Sequence, residues 1–319
     1  GSATARKLLD SIVDQLASRL ADYPDTQIEL LDEAGRIYRQ WWARDRVIQA
    51  QRRYRALVAE RYGSGDPRLV KSLLYEAGVY GDYSAGQDDA IPLLAEAGRL
   101  IHQYGLQGTA LDAQWLTETG RRQVRPLRAS PEAVASLRQA LAIFAQQQPL
   151  SDRRGWAEAY LAEALASGGL PAEALALAQA TIAREQAREK PNDWLVAYQQ
   201  IRAGQYNLQL GQVEAALRAY RQGGVGVLKT MGRDVDTHWD AVRWQATLLA
   251  WQGDDAAAGK LFADEYAELM KLSTEGKDEG AAWLRWSYAQ WLLGQGRPAE
   301  AVPLLLLCDH ASKAVPRVL

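Results

Sequence analysis

The chain has one cysteine, Cys308, so no disulfide can form within it. Packing alone must hold the fold, and the thiol count leaves the redox compartment open. Histidine is almost as scarce. His102, His238 and His310 fall in distant parts of the sequence, which gives no clustered donor set for a metal. A basic excess is missing too: 37 Lys and Arg stand against 39 Asp and Glu, for a net charge of −2 and a pI near 6.0. A nucleic-acid surface needs a net positive footprint, so nucleic acid is not expected as a partner. Arginine-rich patches such as Arg52, Arg53 and Arg55, or Arg153 and Arg154, have acids close by and read as solvated helix faces. No apolar run approaches the ~18 residues of a membrane span. Runs such as Leu304–Cys308 are short, and no membrane insertion is expected of them.

Catalytic signatures are equally hard to find. Gly223-Gly224-Val225-Gly226 has no strand-to-helix context and no following Lys-Ser/Thr pair, so it does not read as a phosphate loop. It reads as an irregular interruption of a long helix. Protein-kinase motifs are missing from the segment. The paired carboxylates Asp88-Asp89, Asp254-Asp255 and Asp278-Glu279 sit where helices are expected to begin, and there negative charge favours the helix dipole. The chain is therefore expected to be non-catalytic, with no cofactor and no metal.

What the sequence does have is a repeat. Gly169-Leu170-Pro171-Ala172-Glu173-Ala174 returns as Gly296-Arg297-Pro298-Ala299-Glu300-Ala301. Between them, Gly211 and Gly253 divide the interval into steps of 42, 42 and 43 residues. A second series keeps the same step through Gly35, Gly78, Gly120, Ala162, Gly204, Ala246 and Ala289. Twelve residues further on stand Val47, Ala90, Ala174, Ala216, Ala258 and Ala301, with Ala133 one place late in the third unit. Small residues at both places let two helices cross closely. Each unit reads as helix, tight turn, helix. Ser130-Pro131-Glu132 supplies a cap and a first-turn proline, and Gly169 and Gly296 suit a left-handed helix end. The expectation is an all-α chain of about seven helical hairpins with a period of about 42 residues. A lead-in helix within residues 1–24, stopped by Pro24, precedes a solenoid over 25–319 whose last repeat is partial. The opening Gly1-Ser2 pair is expected to be a cloning scar.

The combination of small residue, aromatic, turn glycine and alanine resembles the tetratricopeptide repeat. Gly35 with Tyr38, and Ala246 with Leu249, Gly253, Ala258 and Phe262, carry that resemblance. The long period and the junction from Tyr54 through Gly63-Ser64-Gly65-Asp66-Pro67 are similar to the kinesin-light-chain-like subclass. The segment Ala3–Asp10, Arg19–Asp25 and Glu29–Leu31 resembles the lead-in to the repeats of bacterial eukaryotic-like serine/threonine kinases. In those proteins the repeats often follow a membrane helix and act as a sensor outside the cytoplasmic membrane. Twenty-nine arginines against eight lysines fit a GC-rich bacterial source.

The resemblance implies a right-handed superhelical solenoid whose concave groove is lined by the first helix of each hairpin. Counted from the small-residue series, the groove is expected to hold Asp32, Arg36, Tyr75, Asp82, Arg121 and Arg125 in the N-terminal half. In the C-terminal half it would hold Glu163, Ile201, Gln205, Arg243, Thr247, Trp251, Trp286 and Gln290, with Trp156, Tyr198 and Trp283 near its mouth. Six of the eleven tryptophans fall between Trp239 and Trp291, and aromatic and arginine side chains are favoured interface anchors. The expected function is capture of a protein, a peptide or a small ligand. The setting would be the periplasmic face of the inner membrane, as the sensor of a membrane-anchored serine/threonine kinase. The alternatives are a structural assembly adaptor, or the repeat domain of a cytoplasmic transcriptional regulator.

Overall fold

The computed structural model of the chain describes residues 2–41, 43–81, 87–124, 130–232, 235–272 and 279–309. Among these residues there are fifteen α-helices, one short 3-10 turn at Gln87–Asp89 and no strand. Helix α1 (Ser2–Arg19) comes first, and seven helical hairpins follow. They are α2 (Pro24–Gln40) with α3 (Arg44–Tyr62), α4 (Pro67–Gly81) with α5 (Ala90–Gln103), and α6 (Ala110–Gln123) with α7 (Pro131–Gln147). Next come α8 (Asp152–Ser167) with α9 (Pro171–Gln186) and α10 (Asp193–Gln209) with α11 (Val213–Thr230). The last two are α12 (Asp236–Trp251) with α13 (Asp255–Leu272), and α14 (Glu279–Gly294) with α15 (Pro298–Asp309). The chain forms two compact units, residues 1–160 and 161–319, divided within α8.

The turn glycines explain the period. Gly169, Gly211, Gly253 and Gly296 have φ of 81°, 72°, 83° and 68°, a region that costs a residue with a Cβ about 1–2 kcal/mol. After each glycine, the next amide reaches back five residues. Leu170 donates to the Leu165 carbonyl at 2.9 Å, Gln212 to Asn207 at 2.8 Å, Asp254 to Leu249 at 2.9 Å and Arg297 to Leu292 at 2.9 Å. This is the bond that closes a helix on its own last carbonyls. Helix starts are marked as well. Ser130 Oγ accepts from the Ala133 amide at 3.1 Å, and Asp254 Oδ1 accepts from Ala257 at 3.1 Å. At the junction of α3 and α4, Gly63 has φ of 83° and Asp66 Oδ1 accepts from the Arg68 amide at 2.9 Å.

Two local expectations are corrected. Pro24 does not stop α1, which already ends at Arg19; it stands in the first turn of α2, where its missing N–H costs nothing. Nor do Gly223, Gly224 and Gly226 interrupt a helix, since α11 runs unbroken through them. Gly223 and Gly226 are small because α10 lies close by, and Gly224 faces Gln245 of α12. A Cβ on Gly223 would sit 2.5 Å from Ile201 Cγ1, and one on Gly226 would sit 2.7 Å from Ala197 Cβ. From the other helix, a Cβ on Gly204 would meet the Tyr220 ring at 2.9 Å.

Each unit has its own core. In the N-terminal unit Leu31, Tyr38, Val47, Ala50, Leu74 and Ile101 are buried together. In the C-terminal unit Trp239, Val242, Ala246, Phe262 and Leu284 form one cluster, while Ala216, Tyr220, Leu248 and Ala258 belong to another. The repeat alanines Ala162, Ala174, Ala216, Ala246, Ala258, Ala289 and Ala301 are all fully buried.

Candidate binding face

In the N-terminal unit the charges of the first helices are bound to one another. On α2, Arg36 Nη2 lies 2.6 Å from Glu33 Oε2 and 3.7 Å from Asp32 Oδ2. Lys71 Nζ of α4 donates to the same Asp32 oxygen at 3.1 Å. The Tyr75 hydroxyl donates to the Gly35 carbonyl at 3.3 Å, with the Arg39 guanidinium 5.0 Å from its ring centre. Burial raises the Tyr75 pKa, so this hydroxyl stays a donor. Arg121 of α6 donates to the Tyr160 hydroxyl at 2.7 Å and lies 5.0 Å from that ring. Its side chain is only 13% exposed, beside Glu118 at 3.8 Å. Trp156 falls in this unit, half-buried and tilted against Tyr160. Asp82 and Arg125 lie outside the described residues.

The C-terminal unit assembles a different surface. Arg202 of α10 is its hub: Nε is 3.0 Å from Glu163 Oε1, Nη1 donates to Gln205 Oε1 at 2.9 Å, and Nη2 donates to the Tyr198 hydroxyl at 2.8 Å. The Tyr198 hydroxyl in turn donates to Glu163. Burial opposes the guanidinium charge, but Glu163 and Tyr198 outweigh it and hold the Arg202 pKa well above the ordinary value. On α12, Arg243 sends Nε at 2.6 Å and Nη2 at 2.5 Å to one oxygen, Oδ1 of Asp240. Its guanidinium stands 4.8 Å from the Trp244 ring centre and 5.5 Å from that of Trp283. Trp283 and Trp286 of α14 meet edge to face, 5.7 Å apart. Beneath this layer, burial pushes up the pKa of Tyr206, helped by Glu163, and of Tyr220, helped by Asp240. A pocket of about 220 Å³ opens among Tyr198, Ile201, Arg202, Asp236, Asp240 and Trp283.

Of the residues read from the sequence, Glu163, Tyr198, Gln205, Arg243, Trp283 and Trp286 therefore share one cluster. Ile201, only 2% exposed, forms the pocket floor. Gln290 and Thr247 are half-buried on α14 and α12. Trp251 ends α12 and is 65% exposed; it touches the cluster only through Trp244, edge to face at 6.5 Å. The tryptophan-rich stretch divides by role. Trp239 is core, and Trp291 stacks on Tyr288 while bonding Asp255 Oδ1 at 3.2 Å. Sequence reasoning missed Arg202 and Asp240. Asp240 had a signal: it stands six residues before Ala246, as Tyr198 does before Gly204 and Trp283 before Ala289. Among the described residues, no group of three or more His, Cys, Asp or Glu side chains could hold a metal ion. No helix among them is long and apolar enough to cross a membrane.

No protein-family model matches the chain, and neither does any curated protein. Solved structures do. A Rap protein complexed with Competence and Sporulation Factor is similar over 90% of this chain and 87% of its own, with 13% identity and a TM-score of 0.60. A STAND signal-transduction ATPase with a tetratricopeptide repeat sensor, from Pyrococcus horikoshii, is similar over 97% of this chain, with 14% identity and a TM-score of 0.60. This chain spans 47% of that protein's length. A kinesin-light-chain-type protein with nearly identical TPR-like repeats, from Podosopora anserina, matches over 66% of this chain and 93% of its own, with 21% identity and a TM-score of 0.49. At these identities a likeness speaks for fold alone. Together with the seven hairpins, the first two matches give this chain a tetratricopeptide-like fold.

Proposed function

We propose that the chain is a non-catalytic binding module that captures a protein segment or peptide on the first-helix face of its C-terminal unit. One observation carries the reading: α10, α12 and α14 bring Tyr198, Arg202, Arg243, Trp283 and Trp286 into one surface around a pocket. Rigid aromatic faces bury large area at low entropy cost, and arginines already held by neighbours add contacts beside them, as in binding hot spots. The Rap protein, solved in complex with Competence and Sporulation Factor, is an analogy of fold in support. The test is selection of displayed peptides on the intact chain. The expected result is a set of binders weakened by about 2 kcal/mol in Trp286→Ala, at low and high salt alike. Binders indifferent to both Trp286→Ala and Trp283→Ala would contradict the reading.

The finer proposal is that this module is the sensor of a bacterial transmembrane serine/threonine kinase, held on the periplasmic side of the inner membrane. The lead-in segment around Arg19–Asp25 supports it, and the repeat sensor of the STAND ATPase is an analogy of fold. The gene decides this. A hydrophobic span and kinase motifs encoded before Ala3 are expected, and a gene lacking both would refute the assignment.

A further inference from the structure

The pocket among α10, α12 and α14 has a chemistry that selects its occupant. We infer that it receives a single basic side chain, arginine or lysine, from the bound segment. This deepens the reading above and rests on it. The volume of about 220 Å³ is below the several hundred Å³ of sites that enclose a whole small ligand, and it suits one side chain. Tyr198 and Trp283 wall the pocket and Ile201 floors it, surfaces on which an aliphatic stem packs. Asp236 and Asp240 also line it, four residues apart and so on one face of α12.

The opposite choice, an anionic occupant, is opposed by charge: two carboxylates line the pocket against one basic side chain, Arg202, among the described residues. Nη1 and Nη2 of Arg202 donate to Gln205 and Tyr198, and its buried Nε lies 3.0 Å from the Glu163 carboxylate. The N-terminal dipole of α12 is met by its own first-turn Asp236. Acceptor capacity, by contrast, remains. Both Arg243 contacts fall on Oδ1 of Asp240, so Oδ2 takes no hydrogen bond from a described residue. An ionised carboxylate has about four lone-pair sites. A cation entering here meets an oxygen ready to accept, which favours it, beside the Tyr198 and Trp283 rings that Arg202 and Arg243 approach at 4.8 and 5.5 Å.

The probes are Nα-acetyl-arginine amide, Nα-acetyl-lysine amide and Nα-acetyl-glutamate amide. Each is titrated into the nitrogen-15-labelled full chain while the indole N–H signal of Trp283 is followed, assigned through Trp283→Phe. The two basic probes are expected to shift that signal saturably. Asp236→Asn and Asp240→Asn should each weaken the response about five- to tenfold. Asp240 is the partner of Arg243 and Asp236 has a partner too, so both variants are titrated well below their melting temperatures, with an unchanged set of the other indole signals as the check on folding. Equal shifts with the glutamate probe, or none with the basic ones, would overturn the inference. Selected peptides separate the two claims. Binders that need Trp286 but ignore Asp236 and Asp240 would leave the face standing and sink the pocket assignment. If no binder needs Trp286 or Trp283, the face is wrong, and the amide titration still decides the pocket.

Discussion

The two units share one small-residue register but use the polar side of their first helices differently. In the N-terminal unit the charges are structural. Glu76 of α4 is 1% exposed and ion-paired to Arg55 of α3 at 2.6 Å, and Arg55 also donates to Ser72, which bonds Gln51 at 2.7 Å. Arg121 likewise ties α6 to Tyr160. In the C-terminal unit the same kinds of group stand at the surface of a pocket, with tryptophan faces beside them. Paired charge on a first helix therefore does not by itself mark a binding surface. What marks the C-terminal face is a pocket lined by first helices alone; the larger pocket of the N-terminal unit, about 400 Å³, lies between a second helix, α5, and α6.

Four substitutions sharpen or break this contrast. The largest effect is expected of Glu76→Ala. It leaves the half-buried Arg55 without its acid and should cost about 3–5 kcal/mol in a denaturant melt, with peptide affinity unchanged. Arg121→Ala should cost about 1–3 kcal/mol for the lost charge-assisted bonds and likewise spare affinity. An affinity loss confined to low salt would instead make Arg121 a ligand contact. Ala216→Leu forces a larger side chain into a fully buried crossing, and about 1–3 kcal/mol of overpacking is expected. An unmoved unfolding midpoint would break the register assigned to both units. Gly211→Ala should be the mildest, at about 1–2 kcal/mol, because its left-handed φ of 72° tolerates a Cβ poorly.

The fold was largely legible because its signals are local. A glycine every 42 or 43 residues from Gly169 to Gly296 fixes the hairpin turns of the C-terminal unit, and small residues at two fixed offsets fix the crossings, whatever surrounds them. Where local rules misled, a tertiary neighbour was the cause. Gly223 and Gly226 looked like a break and are instead a seat for Ile201 and Ala197. The face was legible in part. Counting from Gly204, Ala246 and Ala289 finds Tyr198, Arg243, Trp283 and Trp286, since residues six and three before the small one keep their side. The count could not say that Arg202 gathers Glu163, Tyr198 and Gln205, because those contacts join residues up to 39 apart. Nor could it separate Arg121, a strut, from Arg243, which lies beside a pocket-lining tryptophan. Both are arginines on first helices, and only packing tells them apart.

The central claim is that Trp286 belongs to a binding surface rather than a core. The direct measurement is a binding titration of one selected peptide against Trp286→Ala, beside a thermal melt of the same variant. The account predicts an affinity loss of about 2 kcal/mol at any salt, with the melting temperature within a few degrees of the unaltered chain. A sharply lowered melting temperature with affinity intact would contradict it.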